Sequence, residues 1–329
     1  MTNRIISKRC PICQIEADAI LVEECEFGYK MLRCPDCHLE FAHPLKGPGK
    51  EGYEQWYKGE TTEIKGERFS VDYASRLQSP NRRRLRDYHL KALCLASVLL
   101  PFSSKVLDVG CAEGSFIKAL EEIGFDVYGC DIAEEPIGFA KRIYNLRNVL
   151  ASSVENLPSH WQNFELITAF EVLEHLETPL EFLRSIFTIL KPSGFLILSV
   201  PNYSYHSKKR IRGGAKWDAP PEHLTRWPEE TLKCALLKAG FSFNSIKFLP
   251  AGGWESFLDA ILPDKIENLY WQLWERKVID EVKQGYGKEA RSKNKSAEFA
   301  FRVLLYPFYR FLKSKYDMYC IVIARKGFQ

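Results

Sequence analysis

Residues 106–116, VLDVGCAEGSF, leave this part of the chain few ways to fold. A short apolar run carrying Asp108 near its end leads into Gly110 and Gly114. The run from Ser115 through Phe116, Ile117, Lys118 and Ala119 to Leu120 then suits a helix. This pattern predicts a buried strand that turns sharply into a helix whose N-terminus faces a ligand. Glycine takes backbone dihedrals closed to other residues and lets a ligand lie against the main chain. Taken alone, the pattern is equally that of a tight strand–helix turn with no ligand. The rest of the chain decides between them.

After Pro101 strands are predicted at 105–109, 126–130, 148–150, 165–170 and 195–200, and helices at 115–123, 135–144 and 178–190. Such alternation is the signature of a parallel sheet wound with helices. Thr178, Pro179 and Glu181 read as a capping box with proline at the first helical position. Asp131 stands 23 residues beyond Asp108, at the end of the second strand. An acid there can accept hydrogen bonds from both hydroxyls of a ribose. The turn itself, Gly110-Cys111-Ala112-Glu113-Gly114, lacks the G-x-G-x-x-G spacing used for a pyrophosphate. An adenosine-bearing ligand other than a dinucleotide is therefore expected.

In order, VLDVGCAEGSF, VYGCDI, FELITAFEVLEHLETP, LKPSGFLILSVPN and PEHLTRWPEETLKCALLKAGF resemble class I S-adenosylmethionine-dependent methyltransferases. The subgroup resembled is that of the ubiquinone-biosynthesis O-methyltransferases and of enzymes that methylate sugars and glycans. The resemblance implies an α/β, Rossmann-like sheet of seven strands whose last strand is antiparallel, with the final hairpin at 243–249 and 318–325. It also implies that Asp108, Gly110, Cys111, Ala112 and Gly114 hold the methionine part of S-adenosylmethionine, with Asp131 and Ile132 at its ribose. Ser153 and Val154 fall at the adenine, where the family often has an aspartate, and Glu171 falls at the end of the fourth strand. Ala112 replaces a more usual glycine.

Cys10-Pro-Ile-Cys13 and Cys34-Pro-Asp-Cys37 are two C-x-x-C knuckles separated by twenty residues. That spacing predicts a hairpin that gathers four thiolates on one structural zinc, a closed ribbon site with no coordination position left for catalysis. Ten cysteines, 46% apolar and 27% charged residues and a net charge of +4 fit a reduced, globular chain with a proper core. The near-neutral charge argues against nucleic acid as partner. With no apolar leader-like stretch at its start and no run long enough to span a bilayer, the chain is expected in the cytoplasm.

Methyl transfer from a sulfonium needs alignment of donor and acceptor, and a hydroxyl acceptor also needs a base. Glu174 and His175, after the fourth strand, and His223, after the fifth, are the catalytic candidates. Glu171, Glu174 and His175 could instead ligate a divalent cation, and each group could merely brace its loop. Arg82, Arg83, Arg84 and Arg86 read as a solvated face. Lys208, Lys209, Arg210 and Arg212 form a basic lip suited to a phosphate-bearing acceptor. Residues 254–316, aromatic and basic, suit a peripheral membrane contact, a homodimer interface or a lid.

The organisation expected is a ribbon at 1–43, a linker with helices at 44–100, the cofactor-binding core at 101–250, a helical insertion at 251–316 and the last strand at 317–329. The function expected is methylation of a small-molecule or sugar-containing acceptor. A ribosomal RNA base methyltransferase and a non-catalytic scaffold of the same fold are the alternatives.

Overall fold

The structure, a computed structural model, describes residues 5–64, 67–69, 73–74, 77, 85–211, 218–249 and 319–327. Four N-terminal strands, β1 (Ile5–Arg9), β2 (Glu16–Glu24), β3 (Lys30–Arg33) and β4 (Glu40–His43), pair antiparallel in sequence order around the two knuckles. Helix α1 (Gly49–Tyr57), a small hairpin of β5 (Thr62–Ile64) and β6 (Glu67–Phe69), and α2 (Asp87–Leu99) follow. The alternating part then runs β7 (Lys105–Val109), α3 (Ser115–Glu122), β8 (Asp126–Asp131), α4 (Glu134–Tyr144), β9 (Val149–Ala151), β10 (Phe164–Phe170), α5 (Pro179–Ile189) and β11 (Leu190–Pro201). Last come α6 (Tyr203–Ile211), β12 (Thr225–Arg226), α7 (Glu229–Ala239), β13 (Ile246–Phe248) and β14 (Tyr319–Arg325).

The main sheet has seven strands in the order β13-β14-β11-β10-β7-β8-β9, parallel except where β14 runs against β11 and β13. The expected sheet and its antiparallel last strand are therefore present. In β10 every residue but Glu165 is buried, as a central strand covered on both faces must be. Helix α3, packed on β8, buries Phe116, Ile117 and Leu120, and α5, packed on α7 and β11, buries Leu180, Phe182, Leu183 and Ile186.

Several local expectations are redrawn. Helix α2 starts at Asp87, later than the basic run suggested, and 82–84 lie outside the described residues. Strand β11 begins at Leu190, and its pairing with β10 is interrupted before Phe195, where Ser193 takes φ +64°, so 191–194 bulge out of the ladder. No side-chain cap bond is made by Thr178, and Glu181 instead accepts a hydrogen bond from Gln14 of the ribbon at 2.9 Å. The loop after the fifth strand contains α6, while 212–217 and the insertion at 254–316 lie outside the described residues, so the readings placed on them carry no structural account. Among the described residues no helix is long and apolar enough to cross a membrane.

Residues Met1–Phe248 and Met318–Gln329 make one compact unit, and Leu249–Asp317 a second. Within the first, ribbon and core are joined by a strand. The two-residue β12 pairs with β4, Thr225 opposite Phe41 and Arg226 opposite Glu40, adding a fifth strand to the ribbon sheet. Cys10, Ile12, Leu39 and Phe41 share one apolar core with Leu173, Trp227 and Leu232. Arg226 is 3% exposed, with Nη1 at 2.9 Å from Glu23 and 3.4 Å from Glu40. Its Nε donates to the backbone oxygen of Asp218 at 2.9 Å. Removing one partner from a buried ion cluster strands the others without solvation, which typically costs about 3–5 kcal/mol. Arg226→Ala is expected to lower the unfolding free energy by that amount in urea denaturation. A loss below about 1 kcal/mol, the range of an exposed pair, would mean that the cluster does not tie ribbon to core.

Candidate functional site

Four strands, β7, β8, β10 and β11, end at one edge of the sheet, where open α/β folds bind ligands. A cavity of about 770 Å³ opens there, within the size range of small-molecule sites.

One half of the cavity is the turn after β7. Gly110 has φ +76°, and a Cβ on it would lie 2.3 Å from Val172 Cγ2, so only glycine fits. Its amide and that of Cys111 both donate to the Cys130 carbonyl, at 2.8 and 3.0 Å. Ala112 takes φ +46°, a region costly for a residue with a side chain. Asp131 holds it there: Oδ2 accepts the Ala112 amide and Oδ1 the Ala133 amide, each at 3.0 Å. The Asp131 carboxylate thereby stands at the cavity wall, tied to the turn it faces. Asp108 is 3% exposed and accepts a hydrogen bond from Thr168 at 2.6 Å. Burial nevertheless pushes its carboxyl up to about 7, against the Thr168 bond, and the charges of Asp131 and Glu113 add to the rise.

Asp108, Gly110, Cys111, Ala112, Asp131, Ile132, Ser153, Val154 and Glu171 all line the cavity. Gly114 does not; it caps α3 with φ +81°, where a Cβ would meet Leu146 Cδ1 at 2.7 Å. The wall combines the desolvated acid Asp108, the second acid Asp131 and the apolar pair Ile132 and Val154. That chemistry suits the ammonium, ribose and flat base of S-adenosylmethionine in turn.

The other half is the turn after β10. Glu171 has φ +55° and accepts a hydrogen bond from Ser199 at 2.9 Å, while burial lifts its carboxyl to about 7. His175 Nδ1 lies 2.7 Å from the Glu222 carbonyl, and His223 Nδ1 lies 3.1 Å from Asp218 Oδ1. The two imidazoles meet edge to face, centroids 4.7 Å apart. Both rings line the cavity, but Glu174 does not: it is fully buried behind them. Neither of its carboxylate oxygens has a hydrogen-bond partner, and burial, then repulsion from Glu171, holds the acid far above its usual range.

One ligand atom each from Glu174, His175 and His223 falls within 4.8 Å of the others. The metal-ligating group gathered here thus combines Glu174 and His175 with His223, while Glu171 is engaged by Ser199. A buried carboxylate lacking a donor, with two imidazoles whose other nitrogens face oxygen acceptors, is a donor set that fits a divalent cation. At the ribbon the Cys10–Cys37 and Cys13–Cys34 sulfurs lie 3.6 and 4.0 Å apart. Tetrahedral zinc at its usual sulfur distance requires about 3.8 Å, so this group fits as well. The Cys37 hydrogen bond pulls the Cys10 thiol down to about 5, and burial lifts Cys13 to about 12.

Some of the cavity was not foreseen. Arg86, assigned to a solvated face, lines it and donates to Tyr319 across the sheet at 2.6 Å. Tyr53 and Tyr57 of α1 form a further wall, with the Tyr53 ring edge-on to His175 at 6.0 Å. These two lie in the stretch 44–77, whose polar, glycine- and tyrosine-rich sequence reads as a connector able to shield a substrate entrance, and their place on the cavity wall accords with that.

A family profile described as a methyltransferase domain matches residues 73–245. The ubiquinone biosynthesis O-methyltransferase of Haemophilus ducreyi is 31% identical over 170 residues, covering 44% of this chain and 71% of that protein. Its namesake from Proteus mirabilis is 28% identical over 165 residues, covering 44% and 67%. Among solved structures, a SAM dependent methyltransferase from Archaeoglobus fulgidus is 21% identical, covers 78% of this chain and all of that one, and superposes with a TM-score of 0.44.

Two outcomes follow. Hydrogen bonds to a charged group contribute about 1.5–3 kcal/mol, so Asp131→Ala should weaken S-adenosylhomocysteine binding roughly 10–100-fold in calorimetry. A change under about twofold would remove Asp131 from the ligand. The second concerns pH. Asp108 and Glu171 have folded pKa values raised from 3.8 and 4.5 to about 7, so the folded state binds more protons than the unfolded between those limits. Their stabilising contribution is complete below about pH 4 and is lost as pH rises through about 7. Urea midpoints should fall across that window, and Asp108→Asn should flatten the fall.

Proposed function

The chain belongs to the class I S-adenosylmethionine-dependent methyltransferases, and from that premise we propose that it methylates a hydroxyl of a small-molecule or sugar-containing acceptor. The observation that carries this reading is the meeting of two chemistries in one cavity. Gly110, Ala112 and Asp131 line one half, while Glu171, His175 and His223 line the other.

In the proposed reaction the acceptor oxygen forms a bond to the methyl carbon as the carbon–sulfur bond breaks, in line, leaving S-adenosylhomocysteine. The acceptor's proton passes to a base on the His175–His223 wall. His223 is favoured for that role, because its Nδ1 faces Asp218 and Nε2 is the nitrogen turned the other way. An imidazole held by a carboxylate keeps one tautomer. Glu171, held near neutrality, is a second group able to take a proton at working pH. In the alternative in which Glu174, His175 and His223 hold a divalent cation, that ion would lower the pKa of an acceptor hydroxyl beside it, and Glu171 in place of His223 would take the proton. Zinc in the Cys10, Cys13, Cys34 and Cys37 group would be structural, since four thiolates close its coordination. The O-methyltransferase names of the relatives favour oxygen as the accepting atom.

The test supplies methyl-labelled S-adenosylmethionine with catechols, nucleotide-linked sugars, oligosaccharides and bulk ribosomal RNA, with and without magnesium or manganese. Label is expected on a hydroxylated small molecule or sugar, and His223→Ala should slow it by about 10²–10⁴-fold. Label confined to RNA, or none on any hydroxyl acceptor by protein that binds S-adenosylhomocysteine, would overturn the reading.

A further inference from the structure

The ribbon reaches the acceptor half of the cavity through one unbroken chain of buried charges. Glu40 on β4 is 1% exposed and accepts from Arg33 at 2.7 Å and from the Tyr203 hydroxyl at 2.8 Å. Its other oxygen lies 3.4 Å from Arg226 Nη1, and Glu23 on β2 lies 2.9 Å from the same nitrogen. Arg226 turns its Nε and Nη2 to the Asp218 backbone oxygen, and Nε also stands 3.7 Å from Asp218 Oδ2. Asp218 Oδ1 then meets His223 Nδ1 at 3.1 Å. Backbone contacts follow the same route: the Ala42 amide donates to the Leu224 carbonyl, and the Leu224 amide to the Glu174 carbonyl, both at 2.8 Å.

This arrangement does more than glue two sheets together. A guanidinium presents its donors in a fixed fork, so each acceptor it engages is placed in angle as well as distance. Glu23 and Glu40 engage one side of that fork and Asp218 the other. The backbone oxygen of Asp218, and with it the residue whose carboxylate faces His223, is thereby fixed by an arginine that two ribbon glutamates engage. On the opposite wall of the cavity, Gly110, Ala112 and Asp131 make none of these contacts; they are set by Cys130, Val172 and Ala133.

We infer that the ribbon is a working part of the acceptor site: Glu23 and Glu40 hold Arg226, Arg226 holds Asp218, and Asp218 keeps His223 protonated on Nδ1 with Nε2 as its basic nitrogen. Glu23, Glu40, Arg226 and Asp218 are positioning residues, acting on the reaction only through His223. The inference rests on the proposed role of His223, and the ribbon becomes the element through which loss of the knuckle cysteines' ligand would reach the methyl-transfer step.

The test reads the imidazole directly. The full chain, labelled with ¹⁵N-histidine, is examined by long-range nitrogen–proton correlation at a pH above the histidine range, as wild type, Glu40→Gln and Glu23→Gln. Glu40→Gln is isosteric, and Glu23 is half-exposed, so at least one variant keeps the fold. His223 of the wild type should show a single tautomer with its proton on Nδ1. Both variants should shift toward a mixture, with S-adenosylhomocysteine affinity within about twofold of wild type. Once an acceptor is in hand, the same variants should lose roughly 10–100-fold in turnover, the usual effect of removing an outer partner of a working histidine. A wild-type His223 spectrum in both variants, an averaged tautomer already in the wild type, or an equal loss of cofactor affinity would each overturn the inference. Failure of the hydroxyl-acceptor reading would look different: His223 would answer to the ribbon as described while no hydroxyl was methylated.

Discussion

How closely two strand-end turns approach each other decides the whole site. Strands β7 and β10 are neighbours in register, Asp108 beside Thr168 and Val109 beside Ala169, so their turns begin side by side. Gly110 lets them close completely, because its missing Cβ leaves the space that Val172 fills. Any larger residue would push the turns apart. Displacement at a methyl group needs donor, carbon and acceptor in line, so a close fit of the two turns that line one cavity favours that alignment.

The two halves differ in how they are held but share one electrostatic condition. Asp108 and Glu171 sit near neutrality because burial disfavours their ionised forms, and Glu174 lies further along the same scale. A buried carboxyl in this state ionises readily against a positive partner and resists doing so without one. Positively charged groups, such as the ammonium and sulfonium of S-adenosylmethionine, would be stabilised beside such acids, while burial alone explains how the acids are tolerated, by holding them towards the neutral form.

Local signals carried most of the cofactor half. Glycine after a β-strand, an acid at the end of the next strand and the alternation of elements each have a backbone cause that operates within a few residues, so they were legible in order. The ribbon knuckles were legible for the same reason. Glu174 was not placed correctly with respect to the cavity, because whether a side chain faces it or lies behind two imidazoles depends on the short turn of residues 173–175 and on a segment nearly fifty residues later. Arg86 is exposed, as a solvated face requires, but its bond to Tyr319 comes from 233 residues away and no local pattern could show it. The capping reading of Glu181 failed in the same manner, since Gln14 of the ribbon outcompetes the helix amide.

What no local rule could convey is that the ribbon sheet is completed from the far side of the chain. A two-residue strand such as β12 has no stability of its own; a pair of strands is already marginal in water. It is a strand because β4 offers a ladder edge and because Leu224 is buried with Tyr29, Met31 and Ala42. The residues just before it, Asp218 to His223, therefore inherit their order from a sheet that forms around the knuckles. Pairing Glu40 with Arg226 closes a long loop of the chain, and the buried contacts made across that closure, Leu224 with Met31 and Arg226 with Glu40 among them, offset its entropy. The N-terminal module is thus one structure with residues 224–226, and it orders them as much as the α/β sheet does.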